Sequence, residues 1–172
     1  MGVVIPESGM QFGEYKEEQV FRIEKCKQYT EKLRQQGVKS CEFILLRAKR
    51  VCFIEAKMSY PNPLVENTSD EEKKKLYRRD IQDIVEKMRH SMELFGNILL
   101  SRYSQEGIPD ALRNASTFEI RLILVIKNAD KSWIVPLQDL LRKELRAEMS
   151  IWKIPDFIVL NEEQARKKHF II

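Results

Sequence analysis

The residues best suited to chemistry lie in the run CEFILLRAKRVCFIEAK, from Cys41 to Lys57. Residues 41–46 and 51–57 are short, apolar and rich in β-formers, and the basic turn Arg47-Ala48-Lys49-Arg50 joins them, so they are expected to pair as a hairpin. Side chains two apart on a strand share a face. Glu55 and Lys57 therefore project together, while Cys52, Ile54 and Ala56 face the other way. If the connection is two or four residues long, positions whose numbers sum to 97 stand opposite each other, and Glu42 lies across from Glu55.

Two carboxylates facing each other across a sheet repel. Burying them without a partner costs several kcal/mol or raises a pKa. A divalent cation removes the conflict. Mg²⁺ or Mn²⁺ takes hard oxygen ligands and is held by one or two carboxylates together with water and substrate phosphate. Lys57, one step along the same face, could position or help deprotonate an attacking water, or stabilise charge building on a phosphate. The chemistry that fits is metal-assisted hydrolysis of a phosphodiester. The Glu-x-Lys triplet occurs four times, but Glu14/Lys16, Glu71/Lys73 and Glu72/Lys74 fall in charged helical stretches and read as solvated faces. Only Glu55/Lys57 closes an apolar strand that has a second acid on its neighbour.

These residues need elements to hold them. Residues 1–11 read as a lead-in. Residues 14–36 are expected to form a helix through Tyr15, Ile23, Cys26 and Leu33, stopped by Gly37. Two prolines make 60–68 a loop. Ser69 with Glu72 reads as a capping box, opening a helix to about Tyr103 through Ile81, Ile84, Val85, Met88, Met92, Phe95 and Leu99. A loop over 104–117 precedes a strand at 118–127, nearly all apolar and so expected to be central. Pro136 is expected to open a helix to about Met149. A strand at 156–160 and a charged terminal helix at 162–169 follow. The predicted order is α-β-β-α-β-α-β, one α/β domain spanning 1–172 with 162–172 as its tail and a mixed central sheet flanked by helices.

In that order, CEFILLRAKRVCFIEAK, with a helix before it and another after it, resembles the core of the PD-(D/E)xK nuclease superfamily, the restriction-endonuclease-like fold. The resemblance implies that Glu42 and Glu55 bind the metal, that Lys57 is the catalytic lysine and that the Ala56 carbonyl is a further ligand. It also implies an acid from the first helix: Glu24 is the candidate and Glu18 the alternative. Cys41-Glu42 stands where the superfamily usually has Pro-Asp, and no strand precedes the hairpin between residues 37 and 41. Many superfamily members are inactive. The alternative is therefore a nuclease-fold module that binds nucleic acid or a protein, with Glu42, Glu55 and Lys57 as a cross-strand salt-bridge cluster. Superfamily members that cut duplexes often dimerise, which implies a homodimer or a partner supplying specificity.

Composition narrows the field. Of 172 residues, 33% are charged and 43% hydrophobic, enough for a buried core. The net charge of +4 is compatible with a polyanionic partner; the resemblance implies nucleic acid, DNA favoured over RNA. Two histidines exclude a zinc site built on several of them. Three cysteines without Cys-x-x-Cys fit a reducing, cytoplasmic setting. No apolar run approaches the roughly 20 residues of a membrane span, and no signal peptide is seen.

Overall fold

The computed structural model describes residues 2–60 and 62–172. The chain opens with an antiparallel hairpin, β1 (Gly2–Glu7) and β2 (Met10–Lys16). Ser8 and Gly9 turn it, both at positive φ (49° and 71°), the conformation a two-residue hairpin turn requires. Ile5, Met10, Phe12 and Tyr15 are buried. The lead-in over 1–11 and the start of the helix expected at 14–36 are thus corrected to strands. The rest of 14–36 is not one helix either. It comprises a 3₁₀ turn (Glu17–Gln19), an edge strand β3 (Val20–Phe21), a second 3₁₀ turn (Ile23–Lys25) and an irregular helical stretch from Tyr29 to Gln36. Burial of Phe12, Phe21 and Ile23 outweighs the helical preference of the intervening Glu, Lys and Gln residues. Gly37 does stop the stretch, at φ 80°.

The motif hairpin is β4 (Phe43–Arg47) and β5 (Arg50–Lys57), joined by the two residues Ala48 and Lys49. Its register pairs Phe43 with Ile54 and Arg47 with Arg50, the sum-to-97 pattern. Helix α1 (Glu71–Leu99) follows. Its cap is Asp70, whose carboxylate accepts the Lys73 amide, so the Ser69–Glu72 capping box is replaced by a cap one residue on. A single helical turn, α2 (Asp110–Arg113), interrupts the expected loop. Strand β6 (Glu119–Ile126) runs parallel to β5, and β7 (Phe157–Asn161) parallel to β6. Between them lie α3 (Lys131–Glu144) and α4 (Arg146–Ile151). Pro136 sits inside α3 and does not open it: Asp130, accepting the Ser132 amide, caps the helix earlier, and Pro136 faces solvent. Helix α5 (Glu162–Lys167) closes the order.

The result is a mixed α/β fold around a five-stranded sheet, β3-β4-β5-β6-β7, antiparallel at its first half and parallel at its second. The strand before the motif hairpin is β3, upstream of where it was sought. Each face of the sheet has its own core. On one face Phe53, Met88, Phe95 and Leu124 pack with α1, Phe53 meeting Phe95 edge-on at 5.8 Å. On the other, Phe12, Phe43, Ile54, Val125 and Ile171 join the first hairpin to the end of the chain. Burying each such side chain contributes about 1.5–3 kcal/mol. Among the described residues, no helix is long and apolar enough to cross a membrane.

Candidate functional site

Val51 and Phe53 face α1, so strand alternation carries Glu55 and Lys57 onto the same side. Glu55 lands under the helix and is fully buried. Its Oε1 accepts from Lys87 Nζ at 2.7 Å and lies 3.3 Å from Lys57 Nζ. Its Oε2 is buried with no hydrogen-bond partner among the described residues. Burial pushes the Glu55 carboxyl up, against the pull of Lys87 and Lys57. Burial works against the Lys87 ammonium in turn, but the Glu55 carboxylate outweighs it and holds Lys87 above the ordinary lysine range. An unsatisfied buried acceptor costs about 1–3 kcal/mol, more when charged.

Glu42 enters from just before β4. Its amide donates to the Ile54 carbonyl at 3.0 Å, and the regular ladder ends at Phe43. Burial, the nearby Glu55 charge and contact with Glu24 push its carboxyl up to about 8. Glu24, from the second 3₁₀ turn, and Glu7, from the end of β1, complete a trio in which one oxygen of each acid lies within 4.8 Å of the others. Arg22 bridges two of them, 2.7 Å from Glu7 and 2.8 Å from Glu24. Burial and the Glu24 charge raise Glu7 as well, more than Arg22 lowers it.

The third contribution comes from α1. Asp83 and Lys87 are one turn apart on its site-facing side. Asp83 lies 3.3 Å from Lys57 and 3.1 Å from Lys39, which also reaches Glu86 at 2.7 Å. Burial acts to raise Asp83, but the two lysines lower it below its ordinary value. The loop before β4 is pinned to the helix: the Lys39 amide donates to His90 Nδ1 at 3.0 Å and the Cys41 amide to Ser91 Oγ at 2.8 Å. A cavity of about 260 Å³ opens among Glu24, Glu42, Lys87, Lys39, Arg34 and Asp83.

The structure thus brings Glu42, Glu55, Lys57 and Glu24 to one corner of the sheet. Three placements differ from the sequence reading. Glu18 is exposed, pairs at 4.0 Å with Lys16 and lines a separate groove of about 1030 Å³. Glu24 comes from a 3₁₀ turn and not from a helix. The Ala56 carbonyl accepts the Ser8 hydroxyl at 3.0 Å, a partner the sequence reading did not give it. Sequence reasoning missed Glu7, Lys39, Asp83 and Lys87. One signal was present for the helix: Asp83, Lys87 and Ser91 recur every four residues beside the apolar face, a polar stripe where a buried helix should be apolar. Nothing local marks Glu7 or Lys39.

The donor set is all oxygen and acidic, with one buried oxygen bare and one neighbouring carboxyl held near 8. Such a set fits a hard divalent cation. Comparison with protein-family models, with curated proteins and with solved structures finds nothing that matches this chain.

Proposed function

We propose that the protein is a divalent-metal-dependent nuclease that hydrolyses phosphodiester bonds, built on the restriction-endonuclease-like plan its motif resembles. The observation that carries the reading is Glu55 Oε2, a fully buried carboxylate oxygen without a partner among the described residues, beside a second carboxyl whose ionisation Glu55 opposes. Both lysine contacts of Glu55 fall on its other oxygen, Oε1. The mixed sheet, with antiparallel β4 and β5 followed by parallel β6, is compatible with the plan.

Glu42 and Glu55 would hold Mg²⁺ or Mn²⁺, with Glu24 beside them. The ion would supply polarisation of the phosphoryl group and a lowered pKa for water. Lys87 and Lys57 pull the Glu55 carboxyl down against the burial that lifts it. Lys57 is fixed between Glu55 and Asp83 and orients the water's approach. Lys39 and Arg34, at the rim of the cavity, oppose the negative charge of the phosphate. Water's oxygen forms a bond to phosphorus, the ester P–O bond breaks, and the departing oxygen leaves as a hydroxyl after taking up a proton.

A second reading has its own support. Glu55, Lys57, Lys87, Asp83 and Lys39 all have oppositely charged partners, as a purely structural network would. Calorimetry with Mn²⁺ separates the two. The nuclease reading expects micromolar-to-millimolar binding that disappears in Glu55→Ala, and cleavage of DNA or RNA that disappears in Lys57→Ala while Mn²⁺ binding persists. A folded wild type that binds no Mn²⁺, with or without an added oligonucleotide, would establish the structural network instead.

A further inference from the structure

The opposite face of the sheet carries a second concentration of charge, at the other end of the strands. Arg47 and Arg50 flank the hairpin turn and stand directly opposite each other. Like charges paired across strands are unfavourable. The turn between them, Ala48-Lys49, places two non-glycine residues at φ 48° and 59°, a further local cost. Arg121, on β6, points to the same face, since it stands in register with Cys52. Lys168 and His169 close the rim, and Cys52, Ile123 and Ile158 form an apolar floor under a hollow of about 530 Å³.

The acids there do not neutralise these cations. Glu119 Oε1 serves both arginines, 3.2 Å from Arg50 Nε and 2.6 Å from Arg121 Nε. Arg47 is fixed by donating to the Lys168 carbonyl at 2.7 Å and by stacking 4.9 Å over Phe170. Neither Lys168 nor Lys49, on the turn, makes an ion pair among the described residues. The first hairpin and the chain end cover the neighbouring part of this face through Phe12, Phe43 and Ile171, and leave the arginine end open.

We propose that this hollow is a binding site for the phosphate backbone of a nucleic acid, distinct from the carboxylate cavity. Planar guanidinium groups fit phosphate oxygens in pairs, and several held around one hollow match a polyanion with closely spaced charges. The Phe170 ring at the hollow is already covered by Arg47 and His169 lies only at the rim, so the cations meet backbone phosphate before any base. Five residues of strand, roughly 17 Å, separate Arg50 from Glu55, and they lie on opposite faces. The site therefore anchors a flanking stretch of polymer and does not touch the scissile bond. That the polymer is also the substrate rests on the nuclease reading; the anion site itself does not.

The test uses fluorescence anisotropy of a labelled DNA oligonucleotide with the full chain in EDTA, so that metal binding and cleavage play no part. Arg50→Ala combined with Lys168→Ala, both exposed positions, is expected to weaken binding about tenfold and to lower the slope of log affinity against log salt by about two. Lys49→Glu, on the exposed turn, is an independent variant with an expected effect in the same direction. Unchanged affinity and slope in both folded variants would overturn the proposal. Polyglutamate competing as well as DNA at equal charge would also overturn it, and would assign the hollow to an acidic protein segment.

Discussion

Glu55 and Glu119 sit on adjacent strands, and each gives one oxygen to two basic side chains. Their behaviour is opposite. Burial lifts the Glu55 carboxyl above its ordinary value although Lys87 and Lys57 pull it down. The Arg121 and Arg50 guanidiniums hold Glu119 below its ordinary value because water still reaches it. Two partners suffice at the surface and fall short in the interior. The remaining deficit at Glu55 is an oxygen that no group among the described residues fills. Counting ion pairs would rank the two sites as equals, whereas desolvation makes one a candidate for a cation and the other part of a surface for anions.

The largest test of that contrast is to break one pair on each side. Lys87→Met strips Glu55 of its shortest contact and is expected to destabilise the fold by about 3 kcal/mol in urea unfolding, the cost of a stranded buried charge. Arg121→Met is expected to leave the midpoint unchanged, since Arg50 still faces Glu119 in solvent. Equal losses would remove burial as the explanation.

Metal should discriminate next. Mn²⁺ at about 100 times its dissociation constant stabilises by about 2.7 kcal/mol, which scanning calorimetry would read as a rise in Tm. The rise is expected to vanish in Glu55→Gln and to persist in Glu119→Gln.

The pH dependence sharpens the contrast further. Glu42 titrates near 4.5 when unfolded and near 8 in the folded chain. Below 4.5 both states hold the proton; between the two values only the folded state keeps it, so stability falls as pH rises through that window. Metal-free Tm is expected to drop by about 10 °C between those limits. Glu42→Gln should flatten the drop, and a profile that stays steep in that variant would discount Glu42 as its source. Glu119 has the other sign: its lowered pKa supplies stability at neutral pH that is lost only in acid. The smallest effect is on binding. Glu119→Gln should free its two arginines and tighten the oligonucleotide about twofold, read by anisotropy at low salt.

The parts of the fold that could be read from the sequence were those whose signals are local. The hairpin register followed from a short turn, of two or four residues, between two apolar runs, α1 from long, consistent periodicity and β6 from a nearly unbroken apolar run. The first hairpin also has a local signal, Ser8-Gly9 between alternating Ile5 and Met10-x-Phe12, but the Glu- and Lys-rich run after it suggested a helix. At the site, Glu42 and Glu55 were legible because one hairpin holds both. Glu7 was not, because it reaches Glu42 only through the docking of a separate hairpin, and Lys87 only through the packing of a helix thirty-two residues from Glu55.

That docking sets an order of events. The Tyr15 hydroxyl donates to the Phe170 carbonyl across 155 residues of sequence, Phe12 bridges to Ile171, and the Ile172 amide donates to Gln11. Contacts of such separation form slowly, after the loops between them have closed. During synthesis the first hairpin must therefore wait for nearly the whole segment before it can settle, and Glu7 with it. Glu7 thus owes its place to residues at the far end of the segment, and a change that loosens Phe170 or Ile171 is expected to loosen the acidic corner as well.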